Sequence, residues 1–109
     1  MTYRNKDYLA LAKGKPCVHC GVSDGTIVSC HYSGMLAGTL GKGLGQKPHD
    51  FCVAHLCFNC HNDFDSFKTE NDDKRAAMFM LQILKTMAIL LETGEIEVVT
   101  KGCVVCNDE

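Results

Sequence analysis

Cys17-Val18-His19-Cys20 and Cys57-Phe58-Asn59-Cys60 are two C-x2-C pairs separated by 36 residues. Each pair can offer two thiolates from one tight turn, and Gly21 suits the turn that closes the first. A tetrahedral zinc ion needs four such ligands at about 2.3 Å, so the doubled motif predicts a structural Zn2+ on Cys17, Cys20, Cys57 and Cys60. Buried thiols or a redox dithiol are the plainer alternatives. Cys57-Phe58-Asn59-Cys60-His61 also fits the C-x-x-C-H of a c-type haem, but haem would account for two cysteines where zinc accounts for four, so no haem is expected. Cys30 and Cys52 stand singly and read as packed thiols. The third pair, Cys103-Val104-Val105-Cys106, has no visible partner pair; it reads as a frayed tail, with a second metal site or a dithiol as its rivals.

His61 follows the second pair directly, and Asp65 lies four residues on, one helical turn away on the same face. A histidine and a carboxylate suit a second, catalytic cation, Mg2+ or Mn2+ or else Zn2+, in phosphodiester chemistry. The plainer reading is a solvated helix start with a local hydrogen bond. Such chemistry also needs a base with a pKa near neutral, and His31 is the candidate.

The elements that must position these groups follow from composition and pattern. At 109 residues with 7% aromatics and no Trp, the chain makes one small domain that needs a staple. Asn5 caps a short helix carrying Tyr8, Leu9 and Leu11, stopped by Gly14 and Pro16. Residues 26–33 read as a strand with His31 near its end, and residues 51–57 as a second strand. Between them, five glycines from Gly34 to Gly45 and no regular period predict a mobile loop. Residues 58–68 form a short helix and 72–94 a long core helix, its methionines 78, 80 and 87 filling the core. Residues 95–99 alternate like an edge strand. His55 reads as facing outward, His49 as a loop residue and His19 as surface.

The formal net charge is −2, yet residues 1–49 carry +4 and residues 50–109 carry −6, so the front half can face phosphate. The first sixteen residues lack the apolar run of a secretory signal and no segment is apolar enough to span a membrane, so the expectation is a cytoplasmic protein with no membrane partner.

A strand ending in His31, a glycine-rich loop, a second strand and a helix opening on Cys57 to His61 resembles the HNH endonuclease superfamily, and within it the small YbcO-like nucleases of phages and prophages. The resemblance is carried by Pro16-Cys17, His31, residues 41–47 (GKGLGQK), Asp50, residues 56–61 (LCFNCH) and Asp65, and covers roughly residues 8–97. It implies an α+β fold: a ββα-metal motif of the HNH or His-Me finger type, a four-cysteine zinc ribbon and flanking helices, in a single domain over 1–97 with a tail at 98–109. It further implies a metal-dependent DNA endonuclease in a host-cell cytoplasm, with His31 as base, His61 as metal ligand, and Lys42 and Lys47 on DNA phosphates. Cys30 and Cys52 stand where the superfamily commonly has a metal-ligating Asp and an Asn; Asp50 or His55 are candidates for the vacant duties. A non-catalytic zinc module binding nucleic acid or protein, and a thiol redox or metal-sensing protein, are the competing functions. A domain this small acting on two strands suggests a homodimer.

Overall fold

The computed structural model describes residues 2–34, 37–43, 45–66 and 72–101. Its element order is α1 (Lys6–Ala10), β1 (Val28–His31), a 3-10 turn (Ala37–Leu40), β2 (Val53–Leu56), α2 (Phe58–Ser66) and α3 (Asp72–Glu92). This is a small α+β arrangement with one two-stranded antiparallel sheet, paired Val28 to Leu56, Ser29 to His55, Cys30 to Ala54 and His31 to Val53. The Cys103/Cys106 pair lies outside the described residues.

Two strands alone cannot make a stable sheet in water, and the long helix supplies what they lack. Ala76, Phe79, Gln82, Ile83, Thr86 and Leu90 recur at three- and four-residue steps along α3 and are all buried, which is one face of a helix. All four residues of β2 are buried. His55 is therefore inside, 2% exposed, and not on an outward face as its strand position suggested; it shares its face with Val53, which α1 and the end of α3 cover through Tyr8 and Leu90. Met80 and Met87 pack against this core, whereas Met78 is exposed.

The edge of β2 away from β1 is closed as well. The His55 carbonyl accepts from Val18 N at 2.9 Å, and the His55 N–H donates to Thr86 Oγ1 at 3.1 Å. With that edge taken, residues 95–99 find no strand partner, and the edge strand expected there is absent. Instead Glu95 N and Ile96 N cap α3 on the Leu90 carbonyl, Gly94 turning at φ +81. Ile96 joins Tyr8, Val53 and Leu90 in a second apolar cluster, and Glu95 pairs with Lys15 at 2.8 Å.

The N-cap reading holds: Asn5 Oδ1 accepts from Tyr8 N at 2.9 Å. β1 is shorter than residues 26–33 because Thr26 is used elsewhere, its hydroxyl accepting from Phe58 N at the start of α2. The glycine-rich segment has more local order than its lack of period implied. Besides the 3-10 turn, Gly43 and Gln46 form an isolated bridge, and His49 N bonds the Leu40 carbonyl at 2.8 Å. Gly41 sits at φ +93 against the His49 ring, where a Cβ would come within 2.8 Å of Nε2; only glycine fits there. No helix among the described residues is long and apolar enough to cross a membrane.

Candidate metal centre and adjoining cleft

Two turns present the thiols. In the first, Gly21 N returns to the Cys17 carbonyl at 2.9 Å, Gly21 takes φ +84, and Cys20 N points at Cys17 Sγ at 3.5 Å. In the second, β2 runs out at Leu56 and α2 begins, so that Cys60 N points at Cys57 Sγ at 3.4 Å and His61 N bonds the Cys57 carbonyl. The Val18–His55 bond brings the first turn against the second. The four ligand sulfurs all lie within 4.8 Å of one another, with Cys20 Sγ and Cys57 Sγ 3.7 Å apart. Ligand bonds of about 2.3 Å at tetrahedral angles place sulfurs about 3.8 Å apart, so the cluster has the dimensions of a metal centre.

The electrostatics fit the same use. Burial pushes the Cys17 thiol up, but the N–H groups of Cys20, Cys57 and His19 outweigh it and bring Cys17 down to about 6. Burial and the neighbouring Cys57, Cys20 and Cys17 sulfurs push Cys60 strongly up. Cys20 is also raised: the Val22 N–H and Cys60 oppose this, but burial and the Cys17 and Cys57 side chains override them. One thiolate forms readily and its neighbours resist, a conflict that a bound divalent cation removes by stabilising all the thiolates together. Four close cysteines of this kind can hold a metal ion such as zinc. They are the single group of three or more metal-ligating side chains among the described residues.

Beside this centre lies a cleft of about 240 Å³ whose lining includes His31, Lys42, Lys47 and His61, together with Cys30 and Pro48. Four of the five residues expected to do chemistry or touch DNA are thus gathered in one place: the end of β1 gives His31, the glycine-rich segment both lysines, and the first turn of α2 His61. Asp65 is outside the lining. It stands one turn along α2 with Oδ2 3.4 Å from His61 Nε2, both side chains substantially exposed. Two donors held at right angles on an octahedral cation at about 2.1 Å lie about 3.0 Å apart, so a small closing movement would let this pair share one ion.

Cys30 and Cys52 are buried, as expected of packed thiols. Burial, with the Asp65 charge next, pushes Cys30 up to about 12, so it lines the cleft as a neutral thiol. His55 does not orient the base: its Nε2 is buried without a hydrogen bond. Asp50 does meet His31: His31 Nε2 and Asp50 Oδ1 are 2.9 Å apart. His49 holds Tyr3 N through Nδ1 and stacks on Phe51, and His19 is exposed with an edge contact to Phe64. Sequence reasoning did not single out Arg4, whose Nη1 donates to Asp50 Oδ1 at 2.9 Å; a lone basic residue ahead of a helix cap gives no signal of a partner 46 positions away.

The class these features define is a small α+β protein built around a four-cysteine cluster with metal-centre dimensions and a histidine- and lysine-lined cleft beside it. No family model, curated protein or solved structure matches the chain.

Proposed function

We propose that the chain is a metal-dependent DNA endonuclease of the HNH type, with β1, the glycine-rich segment, β2 and α2 forming a ββα-metal unit stapled by zinc on the four cysteines. The observation that carries this reading is the single cleft that collects His31, His61, Lys42 and Lys47 from three separate segments. In it His31 takes a proton from water, which attacks phosphorus in line, while Lys42 and Lys47 hold backbone phosphates as flexible point charges. A divalent cation on His61 and Asp65, when bound, supplies the positive charge that favours departure of the 3′ oxygen.

A plasmid nicking assay with Mg2+ or Mn2+ tests the proposal, comparing wild type with His31→Ala and His61→Ala at matched folding. Metal-dependent cleavage that both substitutions reduce by about 100-fold or more is expected. Wild type that cleaves no form of DNA, or variants that cleave as well as wild type, would end it. One observation favours a second reading, a non-catalytic zinc module that binds nucleic acid or protein. The cleft offers a cation His61, with Asp65 beside it but outside the lining, and the position where the resemblance calls for an acidic ligand is the neutral Cys30. DNA binding without cleavage in the same assay would select that reading.

A further inference from the structure

Residues 3–5 lie against residues 47–50, and the contact is dense in directed bonds. Arg4 Nη1 donates to the Pro48 carbonyl at 2.6 Å and Nη2 to the Lys47 carbonyl at 2.7 Å. Asp50 N donates to the Tyr3 carbonyl at 2.9 Å, and Tyr3 N to His49 Nδ1. At the centre is the Asp50 carboxylate, 3% exposed. Its Oδ2 accepts from Asn5 N at 2.7 Å, and its Oδ1 faces both Arg4 Nη1 and His31 Nε2 at 2.9 Å.

The chemistry of that carboxylate settles the proton on His31. A neutral imidazole carries one N–H and one lone pair. An ionised carboxylate only accepts, so the nitrogen facing it must carry the hydrogen. Burial would raise the Asp50 carboxyl, but the Asn5 N–H, His31 and Arg4 outweigh it and hold it below the ordinary carboxylate range. The ring is therefore held with its hydrogen on Nε2 and its lone pair on Nδ1, and an imidazolium formed by taking a proton at Nδ1 would stay bonded to a carboxylate.

We propose that Asp50, fixed by Arg4 and the Asn5 N–H, is the positioning residue that locks His31 in the Nε2–H tautomer and leaves Nδ1 as its basic atom. The segment at residues 3–5 is then a working part of the cleft, although its own side chains do not line it. The catalytic consequence rests on the reading of His31 as the base; the tautomer lock does not.

Two measurements on the full chain decide the matter. In 15N-labelled protein, wild type should show a slowly exchanging low-field imidazole N–H attached to His31 Nε2. That signal should vanish in Asp50→Ala and exchange faster in Arg4→Gln, which keeps the carboxylate but loses the guanidinium fork. If wild type carries the hydrogen on Nδ1, or if Asp50→Ala keeps an unchanged Nε2–H signal, the proposal is overturned; should Asp50→Ala fail to fold, unchanged exchange in Arg4→Gln overturns it. In DNA cleavage, Arg4→Gln should lower kcat about tenfold or more while KM moves less than about twofold; a purely structural role would not produce that split. A wild type that shows the lock but cuts no DNA would uphold the positioning role and remove the nuclease reading alone.

Discussion

Cys20 Sγ and Cys57 Sγ sit 3.7 Å apart although they are 37 positions apart in the chain. A thiol pair at that spacing, with two further sulfurs inside 4.8 Å, ties the turn after α1 to the junction of β2 and α2. Metal on such sites is worth about 10 kcal/mol or more of apparent folding energy, comparable to the whole stability of a small domain. Purified protein should hold one zinc per chain through dialysis, and a strong chelator should abolish its cooperative melting transition. Cys57→Ser and Cys20→Ser should each do the same, even though Cys20 is exposed; elemental analysis and calorimetry provide the check.

Lys42 and Lys47 line the cleft, and their structural bonds, Lys42 N to the Ala37 carbonyl and the Lys47 carbonyl to Arg4, use main-chain groups that alanine keeps, so their replacement should leave the fold intact. Each phosphate contact releases condensed counterions, and the slope of log affinity against log salt should fall by about 0.9 for each lysine lost. The Lys42→Ala/Lys47→Ala pair should therefore bind duplex DNA more weakly, to a similar degree across sequences, with a slope shallower by about 2. Binding titrations at several salt concentrations measure it, and an unchanged slope would remove these lysines from the interface.

His55 supplies a pH dependence. Burial lowers its pKa to about 4 from the ordinary 6.5, with Lys15 adding to the effect and Glu95 opposing it. Below 6.5 the unfolded chain therefore binds a proton that the folded chain refuses, and stability falls with falling pH down to the folded value. Between pH 7 and pH 5 the loss assigned to His55 amounts to about 2 kcal/mol. His55→Leu should remove that part of the slope, so the difference in urea midpoint between variant and wild type should widen as pH falls.

Thr86 closes the outer edge of β2, accepting from His55 N at 3.1 Å and donating to the Gln82 carbonyl at 2.9 Å. Thr86→Val keeps the shape but leaves a buried N–H without a partner, at a cost of about 1–3 kcal/mol. Thr86→Ser should recover most of it. Denaturant unfolding gives the energies, and faster hydrogen exchange at the His55 amide would locate the defect.

Local signals carried much of this structure. Asn5 with its cap bond, the apolar face of α3 from Ala76 to Leu90 and the doubled C-x2-C pairs all depend on neighbours a few residues apart or on a ligand geometry that spacing alone prescribes. What sequence could not show were the partners chosen across the fold. The outward reading of His55 assumed a strand with one wet face, and α1 with the end of α3 removed that face. The edge strand at residues 95–99 needed a free neighbour, and Val18 and Thr86 had already taken it. In the cleft, residue types pointed to His31, His61 and the lysines, whereas Arg4 became visible only once Asp50 was seen to gather its bonds.

The bond from Val18 N to the His55 carbonyl gives the candidate metal centre a second consequence. Val18 is inside the first cysteine turn, so if that turn loosens, the β2 edge loses one of its two covering bonds while Thr86 keeps the other. A strand whose four residues include Val53, Ala54 and Leu56 then presents an open carbonyl, the start of a template on which β-rich proteins associate edge to edge. If the four cysteines hold zinc as proposed, its removal should accordingly drive this chain toward insoluble self-assembly before it reaches complete unfolding, and metal supply during synthesis would set how much of it is recovered in solution.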